Sequence, residues 1–231
     1  MKKAIGIIGG MGPMATCDLM KKIIENTQAD RDQAHVRLYV DSNTNIPDRT
    51  AAILGKGEDP RPAMTDSAKK LEAMGADLLI VPCNTAHFFL PDVQKTVQIP
   101  ILNMQKETAK HLLENGITTV AVLATDGTVQ SGLYDRALKE AGITPVYPKE
   151  DQQKMIMSLI YDYVKAGKDF EDLDKIHAMV ADLQAQGAQG LILGCTELPI
   201  AFAPWQTALP TFDPTLILAR AAVTAAGYAV K

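Results

Sequence analysis

Three short stretches of this chain return, in the same order, roughly half its length later. Ile5-Gly6-Ile7-Ile8-Gly9-Gly10-Met11-Gly12 can be laid over Val120-Ala121-Val122-Leu123-Ala124-Thr125-Asp126-Gly127, an offset of 115 residues. Leu78 to Ala86 (Leu-Leu-Ile-Val-Pro-Cys-Asn-Thr-Ala) resembles Leu191 to Leu198 (Leu-Ile-Leu-Gly-Cys-Thr-Glu-Leu), with cysteines 83 and 195 separated by 112. Ile99-Pro100-Ile101-Leu102-Asn103 returns as Leu209-Pro210-Thr211-Phe212-Asp213 at 110. Nearly constant offsets in one order imply a duplicated unit, and a duplicated unit allows few folds.

The hydrophobic periodicity says what the unit is. Short aliphatic runs predict strands at 4–9, 36–41, 78–82, 99–102, 120–124, 144–147, 191–194 and 209–212. Longer amphipathic segments between them predict helices at 13–27, 59–74, 84–97, 106–115, 129–141, 151–165, 170–186 and 215–226. Strands alternating with helices read as α/β with mostly parallel sheets, and strands apolar throughout fit sheets covered on both faces. Gly75, Gly116, Gly142 and Gly187 stand where helices should stop, as left-handed caps. The expected fold is two pseudo-symmetric α/β lobes, residues 1–102 plus 210–231 and residues 103–209, with an active-site cleft between them. Ligands in such folds sit beyond the carboxyl ends of strands, where Gly9–Gly12, Cys83, Thr125 and Cys195 would gather.

The bulk numbers exclude several classes. The chain has 231 residues, a net charge of −4 and 47% hydrophobic residues. That balance gives no basic surface for nucleic acid, and no apolar run approaches the ~20 residues of a membrane span. The first residues enter a strand-like run too short and too glycine-broken for a signal peptide, so a cytoplasmic location is expected. Three cysteines without a C-x-x-C pair, and four histidines without H-x-x-x-H spacing, argue against a disulfide framework or structural zinc.

The chemistry therefore rests on Cys83 and Cys195. Each ends an apolar run and precedes a polar pair, Asn84-Thr85 or Thr196-Glu197. A cysteine between strand and helix faces the partial positive charge of the helix N-terminus, which favours the thiolate. Two such thiols suit proton removal from one face of a carbon and return to the other. Cys17, inside a predicted helix, reads as a small buried hydrophobe. The loop Gly9-Gly10-Met11-Gly12-Pro13 could present free N–H groups to an anion. Gly10 to Ala15 also fits the dinucleotide fingerprint G-x-G-x-x-A, a rival reading that leaves the cysteine pair unexplained. Arg49, in a polar loop, could grip a carboxylate or belong to a solvated surface. Lys165 reads as a favourable helix-terminal cation. His87, one turn after Cys83, either tunes that thiol or packs. Glu197 either holds a substrate ammonium group, orients the cleft or lies on the surface.

Gly-Gly-Met-Gly-Pro at 9–13, Asn-Ile-Pro-Asp-Arg-Thr at 45–50, Pro-Cys-Asn-Thr-Ala-His at 82–87 and Gly-Cys-Thr-Glu-Leu at 194–198 together resemble the aspartate/glutamate racemase family, most closely its aspartate racemase branch. The resemblance spans nearly the whole chain. It implies a racemase without pyridoxal phosphate, metal or other cofactor, acting on a small amino acid and commonly homodimeric. It puts the catalytic pair on Cys83 and Cys195. Substrate contacts fall on Met11, Asn84, Thr85, Thr196 and Glu197, and the basic pair for a distal carboxylate on Arg49 and Lys165, with Lys168 as the alternative to Lys165. Thr125 and Thr128 are further contacts. Glutamate racemases carry Asp-Ser where this chain has Gly9-Gly10, and His where it has Glu197, so aspartate or a related acid is the expected substrate. Maleate isomerases, hydantoin racemases and one-cysteine arylmalonate decarboxylases are relatives, and a non-catalytic amino-acid binder on the same scaffold is the alternative from another class.

Overall fold

A computed structural model of the chain describes residues 2–170 and 172–231. In chain order the elements are β1 (Ile5–Gly9), α1 (Pro13–Asn26), β2 (Leu38–Ser42), α2 (Arg49–Ile53), α3 (Arg61–Ala73), β3 (Leu78–Ile80), α4 (Leu90–Gln94), α5 (Met104–Glu114), β4 (Thr119–Leu123), α6 (Asp126–Gln130) and α7 (Leu133–Glu140). They continue with β5 (Thr144–Val146), α8 (Glu150–Ser158), α9 (Leu173–Ala185), β6 (Leu191–Leu193), α10 (Leu198–Phe202), β7 (Thr211–Phe212) and α11 (Pro214–Ala225). The chain is α/β, and every strand pair is parallel. It divides into one compact unit of residues 1–107 with 215–231 and another of 108–214.

In the first unit the strand order is β2-β1-β3, and a single parallel bridge, Leu79 to Ile101, extends it by one position. Ile5, Ile7, Leu78 and Ile80 face Leu19 and Ile23 of α1 and Leu218, Ala222 and Val223 of α11. Ile8 and Leu79 face Met64, Ala68 and Leu71 of α3 and Val93 of α4. Alternate residues of one strand thus bury on opposite faces, the period of two that a doubly covered sheet requires. Gly6 is needed for this closeness, because a Cβ there would lie 2.5 Å from Leu79 Cδ2.

The second unit has order β5-β4-β6-β7. Val120, Val122 and Ile192 pack on Ala109 and Leu112 of α5 and on Tyr134 and Leu138 of α7. Ala121, Leu123, Leu191 and Leu193 pack on Ile156 of α8 and on Ile176, Met179 and Leu183 of α9.

The sequence repeat is carried by the hydrogen-bonded register. The pairs Gly6↔Leu79 and Ile7↔Ile80 become Ala121↔Leu191 and Val122↔Ile192 once the offsets of 115 and 112 are applied. The bridge Leu79↔Ile101 becomes Leu191↔Thr211 at 112 and 110. All four expected cap glycines have positive φ.

Several boundaries differ from expectation for identifiable reasons. The strand expected at 99–102 shrinks to one bridge, since Pro100 has no N–H to give to a ladder. The helix expected at 84–97 is a 3-10 turn, Thr85–Phe88, followed by α4, where Pro91 interrupts the α-helical hydrogen bonds. The helix expected at 129–141 is split by Gly132 at φ 63°. The helix expected at 151–165 leaves α geometry at Ser158 and passes through a π-helical turn, Leu159–Val164. The short helices α2 and α10 were not expected. Cys17 is exposed, contrary to the buried hydrophobe read from sequence. α1 turns Ala15, Thr16, Leu19 and Ile23 inward, which leaves Cys17 outside with Met14 and Ile24.

Candidate active site

Cys83 stands three residues past the end of β3, in the turn that leads into the 3-10 helix. The residue belongs to the apolar cluster of Ile8, Met11, Ile46, Val81 and Ala86 and is 7% exposed. Asn84 and Thr85 are buried beside it. Two residues at the start of α5 hold this turn. The Met104 N–H donates to His87 Nε2 at 3.1 Å, so Nε2 has no proton, and Nδ1–H must donate to Cys83 O at 2.8 Å. His87 is a neutral brace from Cys83 to α5. Burial is the largest influence on it and pushes its pKa down from 6.5 to about 4, although hydrogen bonds to Cys83, Asn84 and Leu102 oppose this. Gln105, 1% exposed, donates through Nε2 to Asn84 O and Oδ1 at 3.2 and 3.3 Å. Sequence reading missed Gln105; it carries no motif, and only its burial beside Asn84 marks it.

In the glycine loop after β1, expected to offer free N–H groups to an anion, one donor is already engaged. Gly10 N–H donates to Thr16 Oγ1 at 2.9 Å, and Thr16 Oγ1–H donates to Gly12 O at 3.1 Å. The loop thus satisfies one of its own donors. Gly10, at φ 87°, lies so near the Asn43 backbone that a Cβ would come within 2.3 Å. Met11 is buried, and its carbonyl oxygen is reached by Arg49 Nη2 at 3.5 Å. Arg49 begins α2, whose N-cap Asp48 accepts from Ala51 N at 2.7 Å. Its Nη1 donates to Pro47 O at 2.9 Å and Ile46 O at 3.2 Å. The guanidinium therefore ties the 45–50 loop to the β1–α1 loop. Met11, Arg49, Cys83, Asn84 and Thr85 all belong to the first unit.

Cys195 stands two residues past β6, in the second unit. Its Sγ–H donates to Glu197 Oε2 at 2.9 Å, and Thr196 Oγ1–H donates to the same oxygen at 3.1 Å. Lys165 Nζ approaches the other oxygen, Oε1, at 3.5 Å. The ammonium also lies 4.9 Å from the centre of the Tyr161 ring. It is Lys165, rather than the alternative Lys168, that makes this ion pair. The helix-terminus argument for a thiolate does not hold here. Burial first, and the Glu197 carboxylate second, push the Cys195 thiol well above its ordinary range, while Lys165 pulls the other way. The helix that follows, α10, has only five residues.

Thr125 caps α6: its Oγ1 accepts from Thr128 N at 3.3 Å and donates to Thr128 Oγ1 at 3.2 Å. Both threonines are buried. A separate concavity of about 560 Å³ in the second unit is lined by Met155, Tyr163, Phe170, Lys175 and Met179, and none of the expected site residues lines it. Among the described residues no cluster of His, Cys, Asp and Glu is arranged to hold a metal ion, and no helix is long and apolar enough to cross a membrane.

Known proteins share both the sequence pattern and this fold. An aspartate racemase from Picrophilus torridus superposes with a TM-score of 0.81 at 33% identity, over 99% of this chain and 96% of that one. An aspartate racemase homologue from Pyrococcus horikoshii OT3 gives 0.79 at 27% identity, over 97% and 99%. By sequence, the broad-specificity amino-acid racemase RacX of Bacillus subtilis (strain 168) is 29% identical over 226 residues, 95% of this chain and 96% of its own length. The profile of the Asp/Glu/Hydantoin racemase family matches residues 8–222. The chain belongs to that family and is an isomerase.

Proposed function

We propose that the protein racemises aspartate, or a closely related acidic amino acid, with Cys83 and Cys195 as the two acid–base groups. One sulfur takes the α-proton and the other protonates the opposite face of the carbanion. The observation that carries this reading is positional equivalence. The two cysteines follow β3 and β6, strands that occupy the same place in their sheets and pair in the same register with β1 and β4.

In this reading Arg49 and Lys165 hold carboxylate oxygens, and Met11, Asn84, Thr85, Thr125 and Thr196 shape the site around the substrate. Hydrogen-bond donors directed at the α-carboxylate would stabilise the enolate-like charge of the carbanion, a contribution that is commonly the largest in such chemistry. No step calls for a cofactor. The aspartate racemase from P. torridus supports the substrate assignment. RacX supports a second reading, a broader range of amino acids, at similar coverage. By family likeness the enzyme works in the cytoplasm as a homodimer, a state that light scattering checks.

The test is a panel of L- and D-amino acids in D2O, with loss of the α-proton signal followed by NMR. Aspartate should exchange and racemise fastest, whereas comparable rates across neutral amino acids would favour the broader reading. Cys83→Ala and Cys195→Ala should each abolish racemisation while leaving exchange of one enantiomer. Full racemisation by either variant would refute the two-base assignment.

A further inference from the structure

The two cysteines differ in one respect that their motifs do not announce: only Cys195 has a carboxylate for a neighbour on its own turn. Glu197 is 8% exposed, and one of its oxygens accepts from both the Cys195 thiol and the Thr196 hydroxyl. A carboxylate is acceptor-only, so a contact of 2.9 Å from sulfur requires the proton to sit on sulfur. A thiolate there would face the carboxylate without a proton between them.

We propose that Glu197 is a positioning residue that fixes Cys195 as the thiol, the proton-giving member of the pair, in the substrate-free enzyme. The inference builds on the racemase reading and adds an asymmetry between the two sulfurs. Among the described residues, three charged or titratable groups act on Cys195. Glu197 shares its turn, Lys165 arrives from the π-helical turn, and Tyr134 of α7 lies close enough to interact electrostatically. Tyr134 is fully buried, hydrogen-bonded with Thr108 and held neutral by that burial. The local balance is thus between one anion and one cation. The anion touches the sulfur directly, and the cation acts on the far oxygen of that anion.

This placement has a chemical consequence. When Cys195 protonates a carbanion, its S–H bond breaks, a C–H bond forms and the electron pair stays on sulfur. The resulting thiolate lies beside a carboxylate, and that repulsion drives recovery of a proton from solvent. Cys83, left carrying the α-proton, gives it back to solvent, so the resting pair is again ready for the enantiomer whose α-proton faces Cys83, whereas the opposite enantiomer requires Cys195 to lose its proton first.

The experiment is a pH titration of thiolate ultraviolet absorbance in a Cys17→Ser, Cys83→Ser background, where Cys195 is the remaining thiol. Glu197→Gln should lower the Cys195 midpoint by about one pH unit or more, a tenfold or greater change in acid constant. Lys165→Met should raise it. Circular dichroism establishes that each variant is folded, and Glu197→Asp, which keeps the charge, should leave the midpoint high. A midpoint that falls in Glu197→Gln supports the proposal even if no amino acid is racemised. An unmoved or raised midpoint overturns it even if racemisation is found, because a purely structural Glu197 would not shift the titration of its neighbour downward.

Discussion

His87 makes folding of the first unit sensitive to acid in a way that can be worked out from its contacts. Its ring is buried, with Nδ1–H given to Cys83 O and Nε2 accepting from Met104 N–H. Protonation of Nε2 would place two N–H groups against each other and a charge in the buried interior. The folded pKa is accordingly about 4, against 6.5 for a free histidine. A pKa depressed on folding means that the unfolded chain binds a proton which the folded chain refuses. Stability is therefore fully present above pH 6.5, declines as the pH falls below it and levels off below about 4. At ~1.36 kcal/mol per pH unit, the loss is about 2 kcal/mol by pH 5 and about 3 kcal/mol by pH 4.

A loss of that size is a large share of the ~5–15 kcal/mol by which folded proteins are stable. Carboxylates elsewhere also titrate in this range, so the informative quantity is the stability gap between the natural protein and His87→Gln. Glutamine can give and accept a hydrogen bond but has no charge to gain. Urea unfolding should be followed by circular dichroism at pH 7 and pH 4, with hydrogen exchange mapped on peptides covering residues 78–90. At pH 7 the natural protein should be the more stable. By pH 4 its advantage should shrink by about 3 kcal/mol, and the order should reverse if the advantage began smaller than that. A gap that stays constant with pH would show that His87 is not buried as a neutral brace, and would remove the proposed restraint on the Cys83 turn.

Two further outcomes follow from the same contacts. Arg49→Ala should lower kcat/KM for aspartate at least tenfold, and because Arg49 also ties three backbone carbonyls together, Arg49→Lys should restore only part of the rate; an unchanged kcat/KM in Arg49→Ala would take Arg49 out of the site. Gly190→Ala should destabilise the second unit by about 1–3 kcal/mol, since the added methyl would lie 2.4 Å from Phe212 Cε2, and thermal unfolding that matches the natural protein would show that β7 yields without cost.

Much of the architecture was legible because two kinds of signal agreed. Strand period and glycine punctuation located the elements, and the repeat tied them into two equivalent sheets. Prolines account for much of what was misplaced. Pro91 and Pro100 lie in segments whose hydrophobic pattern is otherwise regular, and pattern alone does not register a missing N–H. α1 misled for a different reason. Its sequence has apolar side chains around most of its circumference, so the phase that buries Leu19 and exposes Cys17 is set by tertiary packing. The candidate site residues stand out in the sequence as motifs, but their contacts do not. The link between Glu197 and Cys195 depends on how a turn folds back over two residues.

Lys165 shows the limit most clearly. Read as the end of one regular α-helix from 151, it would be assigned a direction from 3.6 residues per turn. The π-helical turn Leu159–Val164 inserts an extra residue into that progression and so rotates everything after it by roughly 100°. Lys165 Nζ reaches Glu197 Oε1 from just beyond that turn. A substitution that restored regular α geometry across 159–164 would keep every site residue in the sequence and still redirect the ammonium. The basic residue that the motifs place opposite a carboxylate is therefore delivered by an irregularity of the backbone, and its partner on the second unit is the same carboxylate that holds Cys195 protonated. Charge at Lys165 and proton occupancy at Cys195 are coupled through Glu197, so a substrate carboxylate that drew Lys165 away would strengthen the hold of Glu197 on the thiol proton rather than release it.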